Sequence, residues 1–365
     1  MTITKRLRIG VRKRIKTFYR NFDARLRRER ANSHATKLQQ TALTNDEKRE
    51  IKRFWGDWGG EYWSFAFYKS FCGTFNVQYV PDDYYDYAEH VLNLRWAAFF
   101  LQHKCNLKYI LPEANRPKAI VQKVDGHYML PDNSEISEED AITLLASREI
   151  FMAKNALGPG GGRGVRRVNI PKDGVASLQE IVKWHDITFE ELVVQHPFMA
   201  QLNPDSVNTI RFVTLNINRR CSVLSAFIRM GAKGSIVDNL SGGNGVLVGL
   251  DQDGNVNEFG IDRHFDKKNN APTGNPLKGL IVPQYESLKS QIVSFHQHIP
   301  FANLIGWDVA IDIEGNPIVL EINLDSALVE AHQAFNGPIF GERLEEVMKY
   351  IKDREPSLRH SYITY

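Results

Sequence analysis

Two stretches near the end of the chain carry oxygen donors at spacings that suit a cation. Leu304-Ile-Gly-Trp-Asp-Val-Ala-Ile-Asp-Ile313 and Pro317-Ile-Val-Leu-Glu-Ile-Asn323 read as strands around Glu314-Gly315-Asn316. Taking Glu314 and Gly315 as a two-residue turn pairs Ile313 with Asn316 and sets Asp308 opposite Glu321. Opposed residues bring their Cβ atoms to about 5 Å, and like charges so placed repel unless a cation lies between them. Asn323, two residues past Glu321, shares its face. Two carboxylates and an amide oxygen suit Mg²⁺, which takes few protein ligands and keeps room for phosphates. The plainer alternative is the polar face of an amphipathic hairpin, although Ala310 and Val319 share that face. The other face, with Trp307, Val309, Ile311, Ile313, Ile318, Leu320 and Ile322, is wholly apolar and is expected in the core. A one-residue slip of register would undo the arrangement.

A glycine-rich segment is the second chemical signal. Glu149-Ile-Phe-Met-Ala-Lys154 reads as a strand ending on a lysine, and Gly158-Pro-Gly-Gly-Gly-Arg-Gly164 leads to a second strand at 165–169. Backbone N–H groups of such a loop can approach phosphates without Cβ obstruction. The segment is not a Walker A loop, since no Lys follows its glycines. It also fails the dinucleotide pattern, because Arg163 stands where the last glycine belongs. A plain flexible hairpin remains the alternative. There is no G-x-S-x-G and no paired Cys/His arrangement for a protein nucleophile. His296 and His298, two apart on an expected helix, do not share a face and read as surface residues.

The elements that must position these groups mix strands and helices irregularly. Strand-like runs fall at 148–154, 165–170, 210–218, 222–230, 245–250, 304–313 and 317–323. Helical stretches fall at 88–108, 136–147, 177–185, 285–298 and 341–353, with Ser137 as an N-cap. Without regular βαβ alternation the expected class is α+β with mostly antiparallel sheets. The aromatic-rich stretch 45–75 reads as core packing rather than a substrate platform. The 365 residues, 42% of them hydrophobic, exclude disordered and low-complexity classes. Cys72, Cys105 and Cys221 lie far apart, which disfavours a disulfide scaffold or zinc ribbon and fits a reducing compartment. No apolar run is long enough to span a membrane, and the N-terminus lacks the apolar stretch of a secretory signal.

Charge is unevenly placed. Residues 1–40 hold thirteen Lys/Arg against two acids, a net +11, whereas the remainder is −8. Ile3, Leu7, Val11, Ile15, Phe18, Phe22 and Leu26 draw one stripe along a helix. Such a basic amphipathic arm suits an anionic membrane surface or a protein partner. Packing on the body is the alternative, and nucleic acid fits less well because the body is acidic.

Taken together, the residues resemble a known family. Lys104, Lys154 before the glycine loop, Phe189-Glu-Glu-Leu-Val-Val-Gln-His-Pro197, Ser206-Val-Asn-Thr-Ile-Arg211, Val237-Asp-Asn239 with Gly242-Gly243, Gly306-Trp-Asp308 and Glu321-Ile-Asn323 occur in the order of the ATP-grasp superfamily. Within it the chain is most similar to the sugar-transfer-associated ATP-grasp proteins, related to α-L-glutamate ligases, over roughly residues 80–350. The resemblance implies an ATP-grasp fold of two α+β lobes gripping ATP, here with the basic arm at the front. The implied division is 1–40 arm, 41–145 helical and aromatic-rich lobe, 146–200 small lobe with the flap, and 201–365 large lobe with the metal site.

The resemblance also implies roles. Lys104 and Lys154 are the nucleotide-binding lysines, and Gly160, Gly161 and Gly162 the flap. Glu190 and Glu191 form the adenine hinge. Arg211 steadies the transferred phosphate, with Lys154 assisting, and Asp308, Glu321 and Asn323 hold Mg²⁺. Two positions depart from the pattern: His103 precedes Lys104 where an aspartate is expected, and Gln195 and His196 stand near the usual ribose-binding glutamate. The implied activity is an ATP-dependent carboxylate–amine ligase acting through an acyl phosphate. It would add an amino acid to a saccharide or lipid-linked precursor, in the cytoplasm and peripherally at the inner membrane face. A small-molecule kinase and a non-catalytic membrane-associated adaptor are the alternatives. The acceptor pocket is expected around 232–245 and 262–280, where Asp262–Lys268 reads as a solvated loop more readily than a substrate contact.

Overall fold

The first described helix begins where its sequence says it should. Thr44 accepts from the Glu47 amide while the Glu47 carboxylate accepts from the Thr44 amide, a capping box that satisfies two N-terminal donors of Asn45–Trp55. The computed structural model describes residues 42–59, 62–93, 95–158, 164–238, 245–325 and 328–354. The basic arm, the flap glycines 160–162 and the motif residues Asn239, Gly242 and Gly243 lie outside the described residues. No described helix is long and apolar enough to cross a membrane.

The described residues form two compact units, one of the residues up to 93 together with those from 328, and one of 95–327. The first is helical: Asn45–Trp55, Trp63–Cys72, Asp82–Leu92, Val329–Asn336 and Leu344–Arg354. The aromatic stretch does pack as core, since Trp55, Phe65, Phe67, Tyr68 and Phe71 are buried. Gln333 ties its chain ends together, accepting from Val80 N (2.8 Å) and donating to Tyr68 Oη (3.0 Å) and Val80 O (3.1 Å). The helix expected over 88–108 is instead broken into Asp82–Leu92, Arg95–Gln102, the 3-10 turn Lys104–Asn106 and the start of Leu107–Ile110.

The second unit holds two antiparallel sheets, in keeping with the α+β expectation. The first sheet contains β1 (Ala119–Val124), β2 (His127–Met129), β3 (Glu135–Ile136), β4 (Ile150–Asn155), β5 (Val165–Asn169) and β6 (Ile187–Glu190), in the order β3-β2-β1-β6-β4-β5. The expected lobe boundary at 145/146 falls within the stretch of chain that builds this sheet. Helix Glu138–Ala146, capped by Ser137 Oγ on Asp140 N (3.0 Å), buries Ala141 and Leu145 against Phe151, Val168 and Phe189. Of the helix expected over 177–185, only Leu178–Ile181 is α-helical.

The second sheet contains β7 (Thr209–Ile217), β8 (Arg220–Met230), β9 (Val246–Leu250), β10 (Gly260–Ile261), β11 (Lys267–Lys268), β12 (Leu304–Ile311) and β13 (Pro317–Asn323), in the order β11-β10-β9-β8-β7-β12-β13. Helix Tyr285–Gln297 buries Leu288, Ile292 and His296. His296 is not a surface residue: it is fully buried, burial keeps the ring neutral, and its nitrogens are hydrogen-bonded to Thr214 and Ala302. His298 is exposed, as expected.

Candidate active site

The site is built on one face of the second sheet. Register sets Phe227, Arg211, Asp308 and Glu321 side by side across β8, β7, β12 and β13. Opposed residues of an antiparallel pair share a face, so Arg211, Asp308 and Glu321 point the same way. Asn323 lies opposite Gly306, whose missing side chain leaves the face open beside Arg211.

The expected turn of the β12–β13 hairpin is corrected. The loop is Ile313–Gly315, closed by Asp312 N donating to Asn316 O (3.0 Å), with Gly315 at φ +94°. Asp312 Oδ1 accepts from Glu314 N (2.9 Å) and Asn316 N (2.8 Å), so the aspartate itself shapes the turn. Ile311 therefore pairs with Pro317 and Val309 with Val319, one residue off the expected register. A bulge between Asp308 and Val309 restores the shift, and Asp308 meets Glu321 as expected. Between turn and bulge the β13 residues exchange faces: Val319 joins the core side, Ile318 the site side. Ile313, expected in the core, lies in the loop and is 60% exposed.

Asp308 is gripped from two sides. Arg211 donates through Nε to Oδ1 and through Nη2 to Oδ2 (2.8 Å), and Arg229 Nη1 donates to Oδ2 (2.7 Å). Burial would raise the Asp308 carboxyl, but the Arg211 and then the Arg229 charge override it and hold it well below the usual carboxylate range. Arg229 also pairs with Asp238 at 3.5 Å, and Thr209 donates to Asp238. Asp238 moves the other way, pushed up first by burial, against the Arg229 attraction and with the Asp308 charge adding to the rise. Arg229, Asp238 and Thr209 thus join this cluster; Thr209 and Asp238 stand in the quoted motif stretches, whereas Arg229 did not stand out in the sequence. The loop that leads to Asp238 folds tightly. A Cβ on Gly231 would collide with Val237 O, and Asn203 Nδ2 donates to Gly231 O at 2.8 Å.

Lys104 reaches this face from the turn after helix Arg95–Gln102, its Nζ 2.8 Å from Glu321 Oε1. The turn is pinned to the first sheet. Lys104 N donates to Ala156 O (3.1 Å), and Cys105 Sγ to Ile187 O (3.5 Å). His103, standing where an aspartate was expected, faces Asp186 Oδ2 at 3.3 Å. Burial of Cys105 pushes its thiol up to about 12, so it stays protonated.

Lys154 lies on β4 and pairs with the buried Glu190 on β6 (Nζ–Oε2 2.6 Å). The backbone of Glu190 pairs with both neighbouring strands, and Glu191 N donates to Lys118 O (2.9 Å). Gln195 carries no free polar end for a ribose: Oε1 accepts from Asn208 N (2.9 Å), and Nε2 donates to Asn203 O (3.0 Å) and Ser206 O (2.9 Å). His196 Nδ1 accepts from Phe198 N at 3.1 Å and caps the short helix Pro197–Ala200.

Asp308, Glu321 and Asn323 could offer oxygen donors of the kind hard cations prefer. Asn323 Nδ2 is buried without a hydrogen-bond partner, so no bond fixes which end of the carboxamide faces the carboxylates. Among the described residues there is no cluster of three His, Cys, Asp or Glu side chains that could hold a metal ion. Here Arg211, Arg229 and Lys104 balance the carboxylates.

Residues 174–349, just under half of the chain, match the family model described as sugar-transfer associated ATP-grasp. No curated protein matches in sequence. Among solved structures, the chain is similar to the ATP-grasp ligase PsnB complexed with minimal precursor (16% identity, 71% of this chain and 64% of that one, TM-score 0.40). It is also similar to biotin carboxylase from Campylobacter jejuni (13%, 70% and 46%, TM-score 0.43). A third likeness is D-alanine–D-alanine ligase from Bacillus anthracis (11%, 70% and 69%, TM-score 0.39). The chain spans 64% and 42% of the first two solved proteins it matches. Likeness at this level assigns no chemistry.

Proposed function

We propose that the chain is an ATP-dependent ligase joining a carboxylate to an amine through an acyl phosphate. The observation that carries this reading is the row of Arg211, Asp308 and Glu321 across three strands, inside a segment matching ATP-grasp proteins, with Lys104 from outside that segment on Glu321. A carboxylate oxygen attacks the γ-phosphorus of ATP, the bond to the β,γ-bridging oxygen breaks, and ADP leaves. The amine nitrogen then attacks the acyl carbon, phosphate leaves with the C–O electron pair, and one proton is released. Both steps gather anions, so the protein's task is mainly electrostatic. Lys104 and Lys154 would hold phosphate oxygens, and Arg211 the transferred phosphoryl group. Glu190 and Glu191 would border the base, and Gly160, Gly161 and Gly162 would cover the triphosphate and keep water from the acyl phosphate. Asp308, Glu321 and Asn323 would hold Mg²⁺, which when bound supplies positive charge at the phosphates.

The description of the family as sugar-transfer associated supports a saccharide or lipid-linked saccharide as one reaction partner, with an amino acid as the other. The net +11 of residues 1–40 supports peripheral attachment at the anionic inner face of the cell membrane. The test is calorimetric titration of Mg-ATP into the wild type and Glu321→Ala, followed by a carboxylate and amine screen for ADP release. Magnesium-dependent binding that weakens sharply in the variant supports the site. Absence of binding by a folded wild type favours an adaptor. A stable phosphorylated hydroxyl product would mark a kinase.

A further inference from the structure

Lys104 and Glu321 are both assigned to ligand binding in the ligase reading, yet they bind each other. Lys104 Nζ lies 2.8 Å from Glu321 Oε1, and the lysine side chain is only 10% exposed. The pair cannot separate by movement of the Lys104 backbone, because that turn is tied to Ala156 O, Ile187 O and Asp186. The lysine's flexible four-carbon stem is the part free to swing. Among the described residues, the other carboxylates already placed in the site are paired. Asp308 is taken by Arg211 and Arg229, Glu190 by Lys154, and Asp186 by His103 and His185.

We infer that Lys104 is a built-in competitor for the cation position: it holds Glu321 until a nucleotide phosphate offers it another anion, so divalent metal and nucleotide bind as a coupled pair. The inference rests on the ligase reading. An ammonium and a divalent cation on one carboxylate repel strongly at such short range. Metal alone must therefore displace Lys104 into a setting without an anion. A phosphate supplies that anion. By linkage, each ligand then raises the affinity of the other by the same factor. The arrangement disfavours occupation by metal without nucleotide.

The test uses Mn²⁺ alone as the probe, with free Mn²⁺ followed by electron paramagnetic resonance in the full chain. Lys104→Met removes the competing charge and should bind Mn²⁺ roughly tenfold more tightly than the wild type, the size expected from losing one partly buried ion pair. Lys104→Arg keeps the charge and should stay near the wild type. The gain should vanish in Lys104→Met/Glu321→Gln, which locates the ion. ADP affinity measured with and without Mn²⁺ should show weaker coupling in Lys104→Met than in the wild type, because the direct metal–phosphate attraction remains and only the share due to the lysine is lost. Unchanged Mn²⁺ affinity in a folded Lys104→Met that still binds MgADP overturns the inference and leaves the ligase reading intact. Failure of the folded wild type to bind MgADP overturns both.

Discussion

His296 offers a test of how the second sheet is held together, with a sign and a size. Trp307 Nε1 donates to Thr214 Oγ1 (2.8 Å), Thr214 Oγ1 lies 2.7 Å from His296 Nδ1, and His296 Nε2 lies 3.0 Å from Ala302 O. A carbonyl oxygen only accepts, so Nε2 carries the proton and Nδ1 accepts from the threonine hydroxyl. Protonating Nδ1 would break that bond inside the core. Burial pushes the imidazole down to about 4 from its ordinary 6.5. The unfolded chain therefore takes up this proton first as pH falls. The contribution to stability is whole above about pH 6.5 and is lost as pH falls towards about 4. The full loss is about 3 kcal/mol, of which about 2 kcal/mol is expected between pH 7 and pH 5. Urea unfolding of the wild type and His296→Gln at pH 5, 6, 7 and 8 isolates it, because glutamine is neutral throughout. Exposed His127, raised by its hydrogen bond to Glu135, works in the opposite direction but cancels between the two proteins. The gap between the curves should narrow by about 2 kcal/mol from pH 7 to pH 5. Parallel curves would refute the reasoning.

Arg229→Met takes a cation from both Asp308 and Asp238 and should cost about 3 kcal/mol by urea unfolding. Asp238 is already raised above its ordinary value. Losing Arg229 raises it further, so the cost should grow as pH rises from the unfolded aspartate range. Gln195→Leu unties 192–208 and should cost about 2 kcal/mol while MgADP affinity is kept, which calorimetry and unfolding together would check. Thr44→Ala removes the capping box and should lower stability by about 1 kcal/mol. Deleting residues 1–40 should abolish sedimentation with anionic liposomes and leave nucleotide binding unchanged; unchanged sedimentation would refute the membrane reading.

What was legible in the chain was the part decided by local chemistry. Ser137 marked its helix because a hydroxyl followed by three acids suits an N-terminus. Strands β7, β8, β9, β12 and β13 stood out because long β-branched runs are bounded by turn residues. Strands β2, β3 and β6 did not, since β3 has two residues, β2 three and β6 four, too few for an alternation to register; β1, with six, also went unread. His296 was misread because a lone histidine on a helix looks solvated until Thr214 and Trp307, distant in sequence, come beside it.

The site shows a subtler limit, common to both hairpins that build it. Asn218 and Arg219 (φ 52° and 61°) form a two-residue turn that pairs Ile217 with Arg220. Counting back from that turn sets Thr209 opposite Ile228 and hides Arg229 on the wrong face. A register shift between Val213 and Thr214 moves the pairing by one, so Thr209 meets Arg229 and Arg211 meets Phe227. In β12–β13 the same counting succeeded only because two errors cancelled: the loop is one residue longer than expected, and the bulge at Asp308 returns the residue. Each bulge lies between its turn and the charged row, so each decides which side chains reach the row. A charge cluster of this kind is encoded by residue types that are visible and by a register that is not. For that reason Asp308 and Glu321 could be paired in advance, whereas Arg229, bonded directly to Asp308, could not.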